Sequence, residues 1–318
     1  MSATVSVCIA TYRRNEQLRA LLDDLARQVR LPDQVVIVDN DATGAARAIV
    51  EQFRALPPPF ALDYDVQPEP NIALTRNRTV ELASGEWLAF IDDDERAPPT
   101  WLHQLLLAAE RYQADGVLGP VEPQVPATAP AWILRGRFYD FPHQSTGAVV
   151  PLNCLRFGNV LFRARWLRTE PGPFDRRHGL APGEDLDLLV RLAHRGARII
   201  WSEEARVYEP IEPKRLSLKW LMLRALSGGQ GFARWTVTGR LQPISWAGCW
   251  LFYLGALVRL ALACALALLT WPLGQHHAAA WLIRAAANVG KISSLWGLQY
   301  RNYARSAQAG SARAGSAT

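Results

Sequence analysis

Apolar positions in the first 213 residues follow two alternating patterns. Continuous apolar runs occupy 5–10, 35–38 and 87–91, with a further strand pattern near 62–66. Between them apolar residues recur at helical spacing. Leu18, Leu21, Leu22, Leu25 and Val29 form one stripe, Ile49 and Phe53 a second before Pro57-Pro58-Pro59, and 73–82 a third. Short runs predict strands buried on both faces, and the three-to-four-residue recurrence predicts amphipathic helices laid against them. A helix over 100–112 and a strand at 117–121 follow. Strands separated by helices need right-handed crossovers, so the expected fold class is α/β, a mainly parallel sheet with helices on both faces.

Residues 123–150 are proline-rich and read as a long loop over one sheet edge. Strands are expected at 155–162, 199–201 and 205–208, and a helix opens at Gly183 and runs through Leu186, Leu189, Val190, Leu192 and Ala193. The pattern then changes. Residues 244–273 are apolar for long enough to cross a bilayer, with aromatics near the ends. Arg259 near the middle opposes a lone lipid-exposed span by about 2.5–3.5 kcal/mol. Basic residues flank both sides (Arg234 and Arg240, then Arg284 and Lys291), so charge favours neither crossing direction. The preferred reading is a re-entrant or interfacial helical hairpin with both ends cytoplasmic; a single span and a buried soluble helix pair are the alternatives. A second amphipathic helix is expected over 278–303, lying on the surface through Trp281, Leu282, Ile283, Leu295 and Trp296.

Charge sharpens this division. All 29 Asp and Glu lie at or before Glu212, against 23 Lys and Arg in residues 1–213, a net charge of −6. Residues 214–318 hold 12 Lys and Arg and no acidic residue. An acidic front half argues against a nucleic-acid surface, and a basic tail around an apolar run argues for an anionic membrane surface. An apolar fraction of 49% with 20% charged residues excludes a mainly disordered chain. Cys8, Cys154, Cys249 and Cys264 are too dispersed for a disulfide scaffold or structural zinc, which suits a reducing compartment. The N-terminus lacks the basic leader and apolar core expected of a secretory signal.

Parallel sheets bind ligands at the carboxyl ends of their strands. Three strand ends carry polar groups here: Thr11-Tyr12-Arg13, Asp39-Asn40-Asp41 and Asp92-Asp93-Asp94-Glu95. Adjacent carboxylates raise one another's pKa, and an oxygen-preferring divalent cation, Mg2+ or Mn2+, relieves the repulsion. Strand alternation would put Asp92 and Asp94 on one side and Asp93 on the other. A carboxylate-bound metal with open positions suits a diphosphate leaving group. Asp39 suits a nucleobase N–H or a ribose hydroxyl, or else serves only its own turn. Glu184 and Asp185 either cap a helix or supply a general base, for which Asp185 is the candidate.

In order and context these residues resemble the family 2 glycosyltransferases of the GT-A fold. The likeness runs through Cys8–Arg14, Val36–Asp41, Asn71–Asn77, Gly85–Glu95 and Gly183–Leu192, over about residues 4–235. It is strongest to glucosyltransferases of succinoglycan-type exopolysaccharide assembly. The resemblance implies inverting, metal-dependent transfer of a sugar from a nucleoside diphosphate, UDP foremost. Thr11, Arg13, Asp39, Arg76 and Asp93 would surround the donor, Asp94 with or without Asp92 would bind the metal, and Asp185 beside Glu184 would deprotonate the acceptor. The acceptor expected is a lipid-linked saccharide, its diphosphate drawn by Lys214, Arg215 and Arg224, at the cytoplasmic face of the bacterial inner membrane. The implied organisation is a catalytic domain over 1–213, a basic linking helix over 214–243, a membrane-associated helical region over 244–303 and a disordered tail over 304–318. Two features depart from the pattern. Glu209 stands where many relatives have a metal-assisting histidine. Gln230 precedes Arg234-Trp235 by one residue more than the Q-x-x-R-W of processive synthases, which with one long apolar segment favours a single transfer per acceptor. The competing readings are a catalytically inactive sugar-nucleotide-binding partner and a nucleotidyltransferase, although Ala10–Arg14 is not the glycine-rich loop the latter needs.

Overall fold

A computed structural model describes residues 3–168, 172–178 and 183–298. The expected tail at 304–318 and residues 299–303 of the last expected helix lie outside them. The described residues divide into two compact units: those up to Glu122 with Phe141–Glu209, and Pro123–Asp140 with the described residues from Pro210.

The first unit is built on a seven-stranded sheet with spatial order β3-β2-β1-β4-β7-β5-β8. Its strands are β1 (Val5–Thr11), β2 (Gln34–Asp39), β3 (Ala61–Val66), β4 (Trp87–Phe90), β5 (Gly116–Leu118), β7 (Val160–Arg163) and β8 (Ile199–Trp201). β3, β2, β1 and β4 are parallel; β7 runs antiparallel between β4 and β5, and β8 is parallel to β5. Central strands read as near-continuous apolar sequence because both their faces are covered. All six residues of β2 are buried. Helix α1 (Asn15–Leu25) buries Leu18, Leu21, Leu22 and Leu25 completely, each contributing about 1.5–3 kcal/mol. Val29, expected in that stripe, lies beyond the helix and is 70% exposed. Helices α2 (Arg47–Arg54), α3 (Ile72–Leu82) and α4 (Trp101–Arg111) occupy the other expected crossovers. Asn71 caps α3, its Oδ1 accepting from the Leu74 N–H at 3.1 Å.

Three expectations need correction. The strand predicted at 117–121 is divided by Gly119-Pro120 into β5 and β6 (Val121–Gln124), and β6 pairs with β9 (Val207–Pro210) in a two-stranded sheet. An added Cβ at Gly119 would lie 2.2 Å from the Ala205 carbonyl oxygen, so only glycine permits this bend. Of the strand expected at 155–162, only Val160–Arg163 pairs. The proline-rich stretch contains helix α5 (Ala131–Gly136), whose Ile133 packs with Tyr139, Ile211 and Leu221 of the second unit.

In the second unit, α7 (Leu218–Val237) and α8 (Trp246–Thr270) each begin at a serine, Ser217 and Ser245, that caps the first turn. A 3₁₀ turn over Trp271–Leu273 reverses the chain into α9 (Gln275–Ser293), which packs on both. α8 turns Tyr253, Ala256, Ala263 and Ala267 inward and leaves most of its leucines exposed. α9 meets α7 backbone against backbone. A Cβ added at Gly229 would fall 2.1 Å from the Ala287 carbonyl oxygen, and one at Gly290 2.1 Å from that of Leu226.

Candidate active site

The site forms where β1 and β4 lie side by side, the point at which strand order reverses. Cys8 is level with Phe90 in the ladder, which brings Thr11 level with Asp93 just past the end of β4. The Thr11 hydroxyl donates to Asp93 Oδ2 at 2.8 Å. Arg14 closes the same cluster, its guanidinium 2.7 Å from Asp93 and 3.1 Å from Asp94. Asp93 is 3% exposed. Burial pushes its carboxyl up to about 6 despite the opposing pull of Arg14. Strand alternation does not govern 92–95, because β4 ends at Phe90 and a turn follows, with the Glu95 N–H donating to the Asp92 carbonyl at 3.1 Å. Asp93 and Asp94 therefore share Arg14, while Asp92 points elsewhere.

Asp92 reaches Arg76 on α3, 3.2 Å away, and the same guanidinium lies 2.8 Å from Glu184 at the start of α6 (Glu184–His194). Arg76 rests on aromatic faces, 4.6 Å from the Phe157 centroid and 5.9 Å from that of Phe174. Phe174 is fixed by Asn77, whose amide donates to the Phe174 carbonyl at 2.8 Å and accepts its N–H at 2.9 Å. Asn71 likewise donates to the Arg176 carbonyl. Burial and the charge of Asp185 raise the Glu184 carboxyl above its ordinary range, with Arg76 opposing them. Asp185 is partly exposed and accepts the Leu186 N–H at 2.7 Å.

Glu95 is a buried carboxylate without an assigned role in the sequence reading. Burial first, then the charges of Asp92, Asp94 and Glu209, push it well above the usual carboxylate range. Glu209 comes close because Arg96 and Tyr208 exchange backbone hydrogen bonds at 2.8 and 2.9 Å. Gly158, at φ +113°, passes so near that an added Cβ would lie 3.0 Å from Glu95 Oε1. This crowding of carboxylates is the chemistry a hard divalent cation relieves, and the donor set, oxygen only, fits Mg2+ or Mn2+.

Asp39, at the end of β2, is level with Thr11 in the ladder of the neighbouring strand. Asp39 is fully buried and accepts from the Asp41 and Ala46 N–H groups at 2.9 and 2.8 Å and from the Tyr64 hydroxyl at 3.1 Å. Arg13 is paired to Asp41 rather than Asp39. Lys214, Arg215 and Arg224 belong to the second unit; Arg215 and Arg224 lie on the Trp220 ring at 5.8 and 5.4 Å. A separate trio, Glu122, His143 and Glu203, has ligand atoms within 4.8 Å of one another. His143 there lies between the two carboxylates, 2.8 Å from Glu203 and 3.6 Å from Glu122.

The sequence reading missed Arg14, Glu95 and Asn77 as working parts. Arg14 and Asn77 stand inside the motifs it singled out, but local pattern does not reveal which way an arginine or an asparagine turns.

A mainly parallel sheet with a carboxylate turn at its reversal point and an acidic helix start nearby defines a GT-A enzyme. The chain belongs to glycosyl transferase family 2, whose family description matches residues 6–165, and it is a glycosyltransferase. It is 36% identical over 235 residues to the succinoglycan biosynthesis protein ExoM of Rhizobium meliloti, covering 72% of this chain and 74% of that one. It is 24% identical over 249 residues to the glucosyl-dolichyl phosphate glucuronosyltransferase of Haloferax volcanii, covering 74% and 76%. Solved structures share the fold. A mannosyltransferase from Pyrobaculum calidifontis with GDP-Man and Mn2+ superposes with a TM-score of 0.65 at 19% identity, over 94% of this chain and 89% of that one. Residues 1–349 of S. aureus TarS with UDP-GlcNAc superpose with a TM-score of 0.54 at 18% identity, over 94% and 93%. Against the longer TarS chain the coverage is 55% of that chain.

Proposed function

We propose that the protein is an inverting, metal-dependent transferase that moves a sugar from a nucleoside diphosphate, UDP foremost, to a hydroxyl of a lipid-linked saccharide in exopolysaccharide or surface-glycan assembly. The observation that carries this reading is the bridge through Arg76, which links Asp92 on the β4 side to Glu184 on α6 and so brings the acidic turn and the candidate base to one place. Similarity to a succinoglycan biosynthesis protein supports the glycan class, and the nucleotide sugars in the neighbouring structures support the donor class.

In this reading Asp94, with or without Asp92, would hold Mg2+ or Mn2+, and the ion would neutralise charge on the departing diphosphate. Thr11, Arg13, Asp39 and Asp93 form the nucleotide side. Arg76 keeps Glu184 and Asp92 in place beside the sugar. Asp185, partly exposed and one residue from the bridge, takes the proton of the acceptor hydroxyl as its oxygen attacks the anomeric carbon. The bond from that carbon to the diphosphate oxygen breaks with its electron pair leaving on the diphosphate. Attack and departure occur on opposite faces, so the configuration inverts. A positioned base contributes about 10²–10⁴-fold.

The exposed apolar face of α8 and the all-basic charge of residues 214–318 support attachment at the cytoplasmic face of the membrane, where nucleotide sugars and a lipid-linked acceptor meet. Lys214, Arg215 and Arg224 attract the acceptor diphosphate.

The test is release of free nucleoside diphosphate from a panel of nucleotide sugars with Mg2+ or Mn2+, in wild type and Asp185→Asn. The reading requires turnover in wild type and a loss of two or more orders of magnitude in the variant with donor binding retained. Donor binding without turnover in wild type, with acceptor present, would instead indicate a binding partner.

A further inference from the structure

Between α8 and α9 lies a groove of about 290 Å³ whose lining includes Arg259, Leu262, Trp281, Arg284, Asn288 and Lys291. Its ionic side chains are all cations, supplied by both helices. No Asp or Glu occurs after Glu212, so no carboxylate in this part of the chain is available to balance them. The groove's contacts instead orient the cations with neutral partners. The Lys291 ammonium donates to Asn288 Oδ1 at 3.2 Å and lies 5.7 Å from the Phe232 ring, and the Arg284 guanidinium lies 4.6 Å from the Trp281 ring. Burial, and after it the neighbouring charge of Arg259, lowers the Lys291 pKa.

The surroundings are apolar and outward-facing. Trp250, Leu254, Leu257, Val258 and Leu262 are each more than half exposed. Three cations within such a surface are matched by an anion that arrives attached to hydrocarbon. Free phosphate matches the charge but leaves the apolar rim in water.

We propose that the groove between α8 and α9 binds the phosphate group of an anionic membrane lipid, with Arg259, Arg284 and Lys291 on its oxygens and Trp281 and Leu262 beside its apolar part. The inference rests on α8 lying in the membrane, as proposed above. It also fixes how α8 lies. Arg259 is 13 residues from Trp246 and 14 from Leu273, so it stands about 20 Å from each end of the helical segment at 1.5 Å per residue. Lipid phosphates occupy the headgroup layer, and a phosphate site at mid-helix requires the hairpin to lie along that layer rather than cross it.

The test uses the full chain with vesicles of phosphatidylcholine alone and of phosphatidylcholine with phosphatidylglycerol. Each basic residue at an anionic surface contributes roughly fivefold to partition, so Arg259→Gln should lose about fivefold and Arg259→Gln/Arg284→Gln/Lys291→Gln on the order of a hundredfold. A control triple, Arg135→Gln/Lys219→Gln/Arg240→Gln, makes the same charge change outside the groove and should lose far less. Native mass spectrometry of protein released from mixed-lipid nanodiscs should retain phosphatidylglycerol on wild type and the control triple, and lose it from the groove triple. Equal losses in both triples would overturn the site in favour of diffuse attraction. Stabilisation by inorganic pyrophosphate in detergent, with no lipid retained, would overturn a lipid source. If wild type binds both vesicles alike and the groove triple does not differ, membrane attachment stands and this site falls. If wild type binds neither vesicle, both readings fall together.

Discussion

Arg76 and Glu184, 108 residues apart in the chain, meet at 2.8 Å in a buried ion pair. A buried pair contributes little beyond a well-packed apolar replacement, but removing one partner strands the other. Arg76→Met should lower unfolding free energy by about 3–5 kcal/mol, and Arg76→Met/Glu184→Met should recover part of that loss. Denaturant midpoints across the four-member cycle give the coupling. Additive losses would show that the two side chains do not depend on each other.

Asn77 acts through the backbone it holds. Asn77→Ala leaves both the N–H and the carbonyl of Phe174 without their partner, at about 1–3 kcal/mol for each group left buried. Asn77→Asp keeps the acceptor but turns a carboxylate oxygen onto the Phe174 carbonyl in a buried site, and should lose at least as much as Asn77→Ala. Thermal melts of the two variants check the order.

Asp41 makes stability depend on acid. Burial favours its neutral form, but hydrogen bonds from Arg13 and Thr43 outweigh this and hold the carboxyl below its ordinary value of 3.8. A depressed native pKa adds stability that is complete above the unfolded value and is lost as pH falls through the native one. Asp41→Asn should therefore flatten the decline of stability below about pH 4. Urea midpoints measured from pH 3 to pH 7 would show it, and parallel curves for the two proteins would refute it.

Gly158→Ala should destabilise the fold by about 1–3 kcal/mol, the usual strain of a non-glycine residue in a sparsely populated backbone region. Its φ of +113° and the 3.0 Å approach of the new Cβ to Glu95 act together. A control, Gly196→Ala, shares a positive φ but meets nothing within 4 Å, so the difference between their melting temperatures isolates the contact.

The parallel half of the sheet is legible in the sequence because a strand covered on both faces leaves no polar position to disguise it, as in Val35–Val38. β7 is not. Its insertion between β4 and β5 is a long-range choice, and nothing near Val160 distinguishes the paired residues from Leu155, which is also buried. At the site, the strand-end carboxylates are visible because clustered like charge needs a reason. Arg14 is hidden by its neighbour. Arg13 adopts φ +53°, and the two arginines go separate ways, one to Asp41 and the other to Asp93. Residue type alone does not specify that reversal.

Gly229 and Gly290 let two peptide backbones touch where α7 and α9 cross, and α9 in turn carries α8. A single methyl group introduced at either position would wedge the crossing apart and disturb the seating of the whole hairpin. Tolerance in this part of the chain is therefore set by the smallest side chains, and the long greasy ones around them can vary far more freely.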